Sequence, residues 1–133
     1  MNAEKYRTSR LSEKQLAVLA NELILYLEGG GVYQNSYLRM NQLAKELNMK
    51  NHILSQVINR QFSMSYFEFI NSFRIKKAIE MINNDVDKKM KIASIASYCG
   101  FNTRATFINA FKQCTGVAPS EYKLKINKLK NNI

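Results

Sequence analysis

One histidine, two cysteines and a run of three glycines are the residues of this 133-residue chain from which a metal or phosphate site would have to be built. Cys99 and Cys114 stand 15 positions apart with no second pair, which excludes a zinc framework on count. His52 has no cysteine or carboxylate three or four residues away, so it lacks a co-ligand at helical spacing. Both cysteines fall on apolar helical faces, which predicts two buried free thiols and suits a reducing compartment. Gly29-Gly30-Gly31 is not a phosphate loop, because no strand precedes it and no Gly-Lys-Ser/Thr follows. With neither a paired-carboxylate cleft nor a cofactor loop, the chain is not expected to be an enzyme, and no cofactor or metal is expected.

Positive charge is what the chain has in excess. Twenty Lys and Arg oppose ten Asp and Glu, a formal net charge of +10. From Lys88 to Ile133 nine residues are basic and one, Glu121, is acidic, so +8 of the total lies there. Such an excess suits a polyanionic partner, nucleic acid more often than a membrane surface. The stretch from Met49 to Gln61 has no acidic residue, as a phosphate-facing surface requires. The competing reading is a basic amphipathic module that docks on anionic membranes through its final Lys-rich helix, a role that does not need polar, acid-free recognition faces. The longest purely apolar run, Leu23 to Leu27, is far too short to span a bilayer. No signal peptide is visible at Met1 to Arg10, and the chain reads as cytoplasmic.

These residues must be positioned by helices, because no stretch alternates as a strand does. Ser12 with Gln15 predicts a capping box, followed by a stripe of Leu16, Leu19, Ala20, Leu23 and Leu27 that the glycine run stops. Met40, Leu43, Ala44 and Leu47 suit two helical turns, and a further helix starts near Asn51 with Leu54 and Ile58 inward. Ser65 with Glu68 predicts a second capping box and a long helix to about Ile82. Phe69, Ile70, Phe73, Ala78, Ile79 and Ile82 are available there for packing. Two more helices follow, about Ile92–Cys99 and Thr103–Cys114, and Pro119 suits the first turn of a basic final helix. Between them, Gly100 interrupts an apolar stripe where the chain needs positive φ, with Asn102 read as the next cap and Phe101 as an apolar plug. A β-branched residue at Gly100 is expected to cost about 1–3 kcal/mol.

The pattern repeats. Leu43-Ala44 matches Ile95-Ala96 at an offset of 52, while Leu54, Ile58 and Glu68-Phe69 match Phe107, Phe111 and Glu121-Tyr122 at 53. The slip of one falls at the start of the third helix of each unit. The expected fold is all-α, about seven helices, with two helix-turn-helix subdomains joined by a long helix. The division is residues 1–39 as a preamble with one amphipathic helix, 40–64 as the first helix-turn-helix, 65–84 as the linker helix, and 85–133 as the second helix-turn-helix with the basic helix.

From about Met40 to Tyr122 the sequence resembles the DNA-binding domain of the AraC/XylS family of bacterial transcription regulators. The resemblance lies in Leu43-Ala44 with Leu54, in Phe73-Arg74-Ile75 with Ala78, in Ile95-Ala96, and in Cys99-Gly100-Phe101. Phe107, Phe111-Lys112 and the run from Thr115 to Tyr122 complete it. It departs from the family at Ser63, where glycine is common, and at Arg39 and Lys91, where small polar caps are commoner. The resemblance implies a sequence-specific binder of double-stranded DNA that places a recognition helix of each unit in the major groove. RNA polymerase is an implied partner, as is an N-terminal sensor region, often membrane-embedded, in a longer parent chain. Carried over residue by residue, it implies base contacts from His52, Ser55 and Gln56 in the first unit and from Arg104, Ala105 and Asn109 in the second. Lys50, Asn59, Arg60, Thr103, Thr106 and Lys112 would meet the DNA backbone. Arg with guanine, Asn or Gln with adenine, and an Ala methyl against thymine are chemically apt pairings. Arg74 is expected to pair inside the domain, and Arg104 and Lys112 to lie on different sides of their helix.

Overall fold

The computed structural model describes residues 11–85 and 88–131, so residues 1–10 of the preamble, where a signal peptide was not found, lie outside the described residues. Among the described residues there are seven α-helices, one 3-10 turn and no strand. We number the helices α1 (Glu13–Gly30), α2 (Met40–Glu46), α3 (Asn51–Phe62), α4 (Tyr66–Asn84), α5 (Ile92–Cys99), α6 (Arg104–Thr115) and α7 (Pro119–Asn131). The chain divides into two compact units, one of residues up to Gly31 with Arg39–Tyr66, the other of Val32–Leu38 with the chain from Phe67 onward.

In the first unit α1 opens on the expected capping box: Ser12 N donates to Gln15 Oε1 at 2.8 Å and Gln15 N to Ser12 Oγ at 3.1 Å. Its buried stripe is Leu16, Ala20, Leu23 and Leu27, with Leu19 half-buried at the margin. The stripe packs on α3, which in turn packs on α2, and Leu43, Ala44, Ile53, Leu54, Val57 and Ile58 of these two helices are all buried. Polar links at the edges tie α1 to its neighbours: the Tyr26 hydroxyl donates to Glu46, which raises the Tyr26 pKa, and Glu13 pairs with Arg60.

The three departures noted in the sequence are visible as local geometry. Arg39 and Lys91 occupy N-cap positions in extended conformation without a side-chain cap, so the first turns of α2 and α5 go without the usual oxygen acceptor. Ser63 ends α3 in the left-handed region, φ 55°, where the equivalent residue of the second unit is Gly116, φ 85°. A non-glycine residue is held there at a cost of about 1–2 kcal/mol. Ser63→Gly is therefore expected to stabilise the first unit by about 0.5–1 kcal/mol after glycine's extra chain entropy is subtracted. A urea midpoint that fails to rise would mean that the serine is compensated by contacts of its own.

The core of the second unit joins Ile75, Ala78 and Ile82 of α4 to Ile95, Ala96 and Cys99 of α5 and to Phe101, Phe107, Ala110 and Phe111. Four rings run through it edge to face, with centroids 5.2 Å apart for Phe101–Phe107, 5.7 Å for Phe107–Phe111 and 5.5 Å for Phe111–Tyr122. On α4 the buried face is Phe69, Ile70, Arg74, Ile75, Ala78 and Ile82, while the expected Phe73 and Ile79 are only half-buried. Ile75, not singled out by the spacing, and a buried arginine join that face, while Phe73 packs edge to face on Phe69 at 5.1 Å and Ile79 borders the core. Asp85 stops the chain beyond α4 by accepting from the Met90 amide at 2.9 Å and the Lys89 amide at 3.3 Å.

Two expectations need correction here. The N-cap of α6 is Thr103, not Asn102: Thr103 is the extended residue whose carbonyl takes the first helical bond, from Phe107 N at 3.3 Å. Its Oγ1 accepts from Thr106 N at 3.1 Å, satisfying a free donor of the first turn. Of the two cysteines only Cys99 is buried, its thiol pushed up to about 11 by desolvation. Cys114 is exposed, because the last turn of α6 runs past the core.

The internal repeat is one of backbone geometry as well as of apolar positions. Asn48, φ 58°, corresponds to Gly100, φ 105°, and the bond Met49 N to Ala44 O, 2.8 Å, to Phe101 N to Ala96 O, 3.0 Å. The one-residue slip lies just after these bonds, where Lys50 alone in the first unit corresponds to Asn102-Thr103 in the second. The extra residue gives α6 a side-chain cap that α3 lacks.

Candidate nucleic-acid interface

In each unit the second helix of the pair is anchored on one side only. In α3 the inward residues Ile53, Leu54, Val57 and Ile58 leave His52, Ser55, Gln56 and Asn59 on the opposite side at 3.6 residues per turn. His52, Ser55 and Asn59 are exposed and Gln56 is half-buried. In α6 the anchors are Phe107, Ala110 and Phe111, and Ala105, Asn109 and Lys112 project away from them, all exposed. Arg104, Thr103 and Thr106 are exposed at its first turn. The predicted base-contact residues thus lie away from the anchors of their own helix in each unit, except Arg104, which is exposed at the first turn of α6 nearer the anchored side.

The remaining candidates are placed more variously. Arg60 is engaged by the Glu13 carboxylate, to which Gln61 also donates at 3.5 Å, so part of its charge is already matched. Thr103 serves as cap and its hydroxyl lies 2.7 Å from that of Thr106, so both hydroxyls already have a hydrogen-bond partner. Arg104 and Lys112 are not on different sides of α6: at 3.6 residues per turn they are less than a quarter turn apart around the axis. They are separated along it by about 12 Å. Arg104 borders a shallow cleft with Ile92, Ile108 and the Ala118–Ser120 start of α7. Lys50 shares a hollow at the α2–α3 turn with Asn41, Asn51 and Lys45. Lys45 stands in the last turn of α2.

The basic C-terminal region is less free than its composition suggests. Lys123 donates to the Met90 carbonyl, Lys130 to the Asn83 carbonyl at 2.6 Å, and Lys88 to Asn131 Oδ1. Three ammonium groups of that region therefore tie α7 along the second unit. Among the described residues no helix is long and apolar enough to cross a membrane.

Two copies of a helix-turn-helix, each presenting the second helix of its pair to solvent, define a tandem helix-turn-helix protein. Comparison with known proteins agrees: a family model described as a helix-turn-helix domain, of the AraC type, matches residues 43–125, and the chain belongs to the AraC/XylS family. The family is one of transcription regulators, not of enzymes. The Msm operon regulatory protein of Streptococcus mutans is 32% identical over 91 residues, which is 68% of this chain and 32% of that protein. The arabinose operon regulatory protein of Escherichia coli is 28% identical over 80 residues, 60% of this chain and 26% of that one. The chain thus spans about a third or less of the length of these relatives. Among solved structures it resembles the C-terminal domain of AraT, a response regulator from Geobacillus stearothermophilus. That match has 26% identity and a TM-score of 0.67, covering 88% of each chain. The DNA-binding domain of AdpA, solved in complex with a target DNA, aligns with a TM-score of 0.71 over 84% of this chain and 96% of that one. At 12% identity that likeness concerns the fold alone.

Proposed function

We propose that this chain is the DNA-binding output domain of a transcription regulator, reading double-stranded DNA with α3 and α6 in adjacent major-groove segments. The observation that carries the reading is the pair of acid-free, solvent-facing helix surfaces, each rigidly backed by a buried apolar face. His52, Ser55 and Gln56 would read one segment and Arg104, Ala105 and Asn109 the other. Lys50, Asn59, Thr103, Thr106 and Lys112 would sit near phosphates, and Arg60 would join them by exchanging its Glu13 partner. A sensor region in a longer, cytoplasmic or membrane-anchored parent fits relatives about twice this length, and RNA polymerase would be a partner of such a regulator. Selection of binding sites from random duplexes tests the reading. It should return two dissimilar short segments, because the residues at the two sets of positions differ. Retention on anionic vesicles without any duplex preference would favour the membrane-docking alternative instead.

Position along α6 separates two roles within the second segment. Arg104→Ala is expected to relax preference at one base pair by about 1–3 kcal/mol, since a bidentate Arg–guanine pair is lost. Lys112→Ala, in the last turn, is expected to weaken all sequences about equally and to lower the salt slope by about one. Binding titrations on matched and mismatched duplexes at several salt concentrations distinguish them. Equal, sequence-blind losses from both would make Arg104 a phosphate contact.

A further inference from the structure

The second unit includes a segment that a helix-turn-helix does not require. Residues 32–38, between α1 and α2 in the chain, fold with the second unit rather than the first. Val32–Gln34 form a 3-10 turn, and two carbonyls of this segment, those of Tyr33 and Asn35, face α4. Arg74, buried on α4, donates to them: Nε reaches the Tyr33 carbonyl at 2.6 Å and Nη2 the Asn35 carbonyl at 3.0 Å. Its guanidinium carbon lies 5.7 Å from the centroid of the Phe101 ring. On the other side, Gln34 Nε2 donates to the Tyr98 carbonyl at 3.0 Å, and the Tyr33 ring packs 5.9 Å from Phe73. The segment is therefore tied directly to Tyr98 before Gly100, and through Arg74 to Phe101 after it, on either side of the corner between α5 and α6. The corner itself is close against it: a Cβ on Gly100 would fall 2.7 Å from the Tyr33 carbonyl oxygen and 2.9 Å from that of Gln34.

From this arrangement we infer that residues 32–38 are a strap that sets the α5–α6 corner, with Arg74 as a positioning residue for recognition by α6. The planar fork of arginine suits two carbonyls and an aromatic face at once, a task that the point charge of a lysine performs poorly. The orientation of α6 relative to α5 decides where Arg104 and Asn109 meet a groove, so a loosened corner blurs recognition without touching either residue. The binding consequence rests on the DNA reading proposed above; the positioning itself does not.

The test uses the full chain with Arg74→Ala, Arg74→Lys and Gln34→Ala, and two readouts. The first is amide hydrogen exchange from Gly100 to Phe107 without DNA. The second is discrimination against selected duplexes in which either segment is scrambled. Arg74→Ala should speed exchange at the corner and reduce discrimination at the α6 segment by about tenfold, the equivalent of one charge-assisted hydrogen bond. Discrimination at the α3 segment should be retained. Arg74→Lys and Gln34→Ala should move both readouts the same way by less, and they decide the matter if Arg74→Ala fails to fold. Unchanged exchange at the corner, or equal losses at both segments, overturns the inference. If the parent chain discriminates no duplex, the DNA reading fails while the exchange readout still decides the strap.

Discussion

Gly100→Val is expected to destabilise the second unit by about 3–5 kcal/mol, more than backbone conformation alone would require. Two penalties meet at this residue. At φ 105° the backbone is in a region that L side chains rarely adopt, and a β-branched one least of all. The added Cβ would also lie 2.7 Å and 2.9 Å from two backbone carbonyl oxygens and 3.0 Å from Arg74 Nε, none of which is the loose end of a flexible side chain. Relief requires the strap to lift, which breaks the Arg74 bonds and leaves a buried guanidinium short of acceptors. The Cβ is common to valine and alanine, so Gly100→Ala should incur most of the same loss. Thermal melts of both variants check this. A valine variant that melts with the parent would show that the corner and the strap are not coupled as described.

A duplex carrying five extra base pairs between the two selected segments should bind about 100-fold more weakly or worse. Half a helical turn of DNA carries one segment to the opposite face, so that only one recognition helix docks. Losing two good base contacts at about 1–3 kcal/mol each accounts for that magnitude. The premise is the proposed simultaneous docking of both recognition helices on one face of the duplex. Ten extra base pairs restore the face but not the distance, and should rescue little. Titrations at fixed salt compare the three spacings with a site in which one segment is scrambled. Unchanged affinity on the five-base-pair insertion would mean that one helix-turn-helix alone carries recognition.

The sequence by itself determined the helices, the repeat and the faces that carry the candidate contacts. Caps and apolar spacing act within a few residues, so Ser12 with Gln15, the run Ile92–Cys99 and the Thr115-Gly116 stop were legible without any knowledge of packing. The exposure of His52, Ser55, Ala105 and Asn109 follows from the same local periodicity. Where only packing chooses, the reading fell short: Ile75, which the spacing did not single out, is buried in the core, and Cys114 is exposed although its spacing matched an apolar face. What the tertiary structure alone decided is the strap. Tyr33 and Asn35 stand about 40 positions from Arg74 in the chain, and a polar segment gives no periodic signal of what will accept its partner's hydrogen bonds. Gly100 shows both levels in one residue. Its left-handed turn is a local requirement that the sequence displays, whereas the carbonyls crowding its missing side chain come from a segment more than 60 residues away.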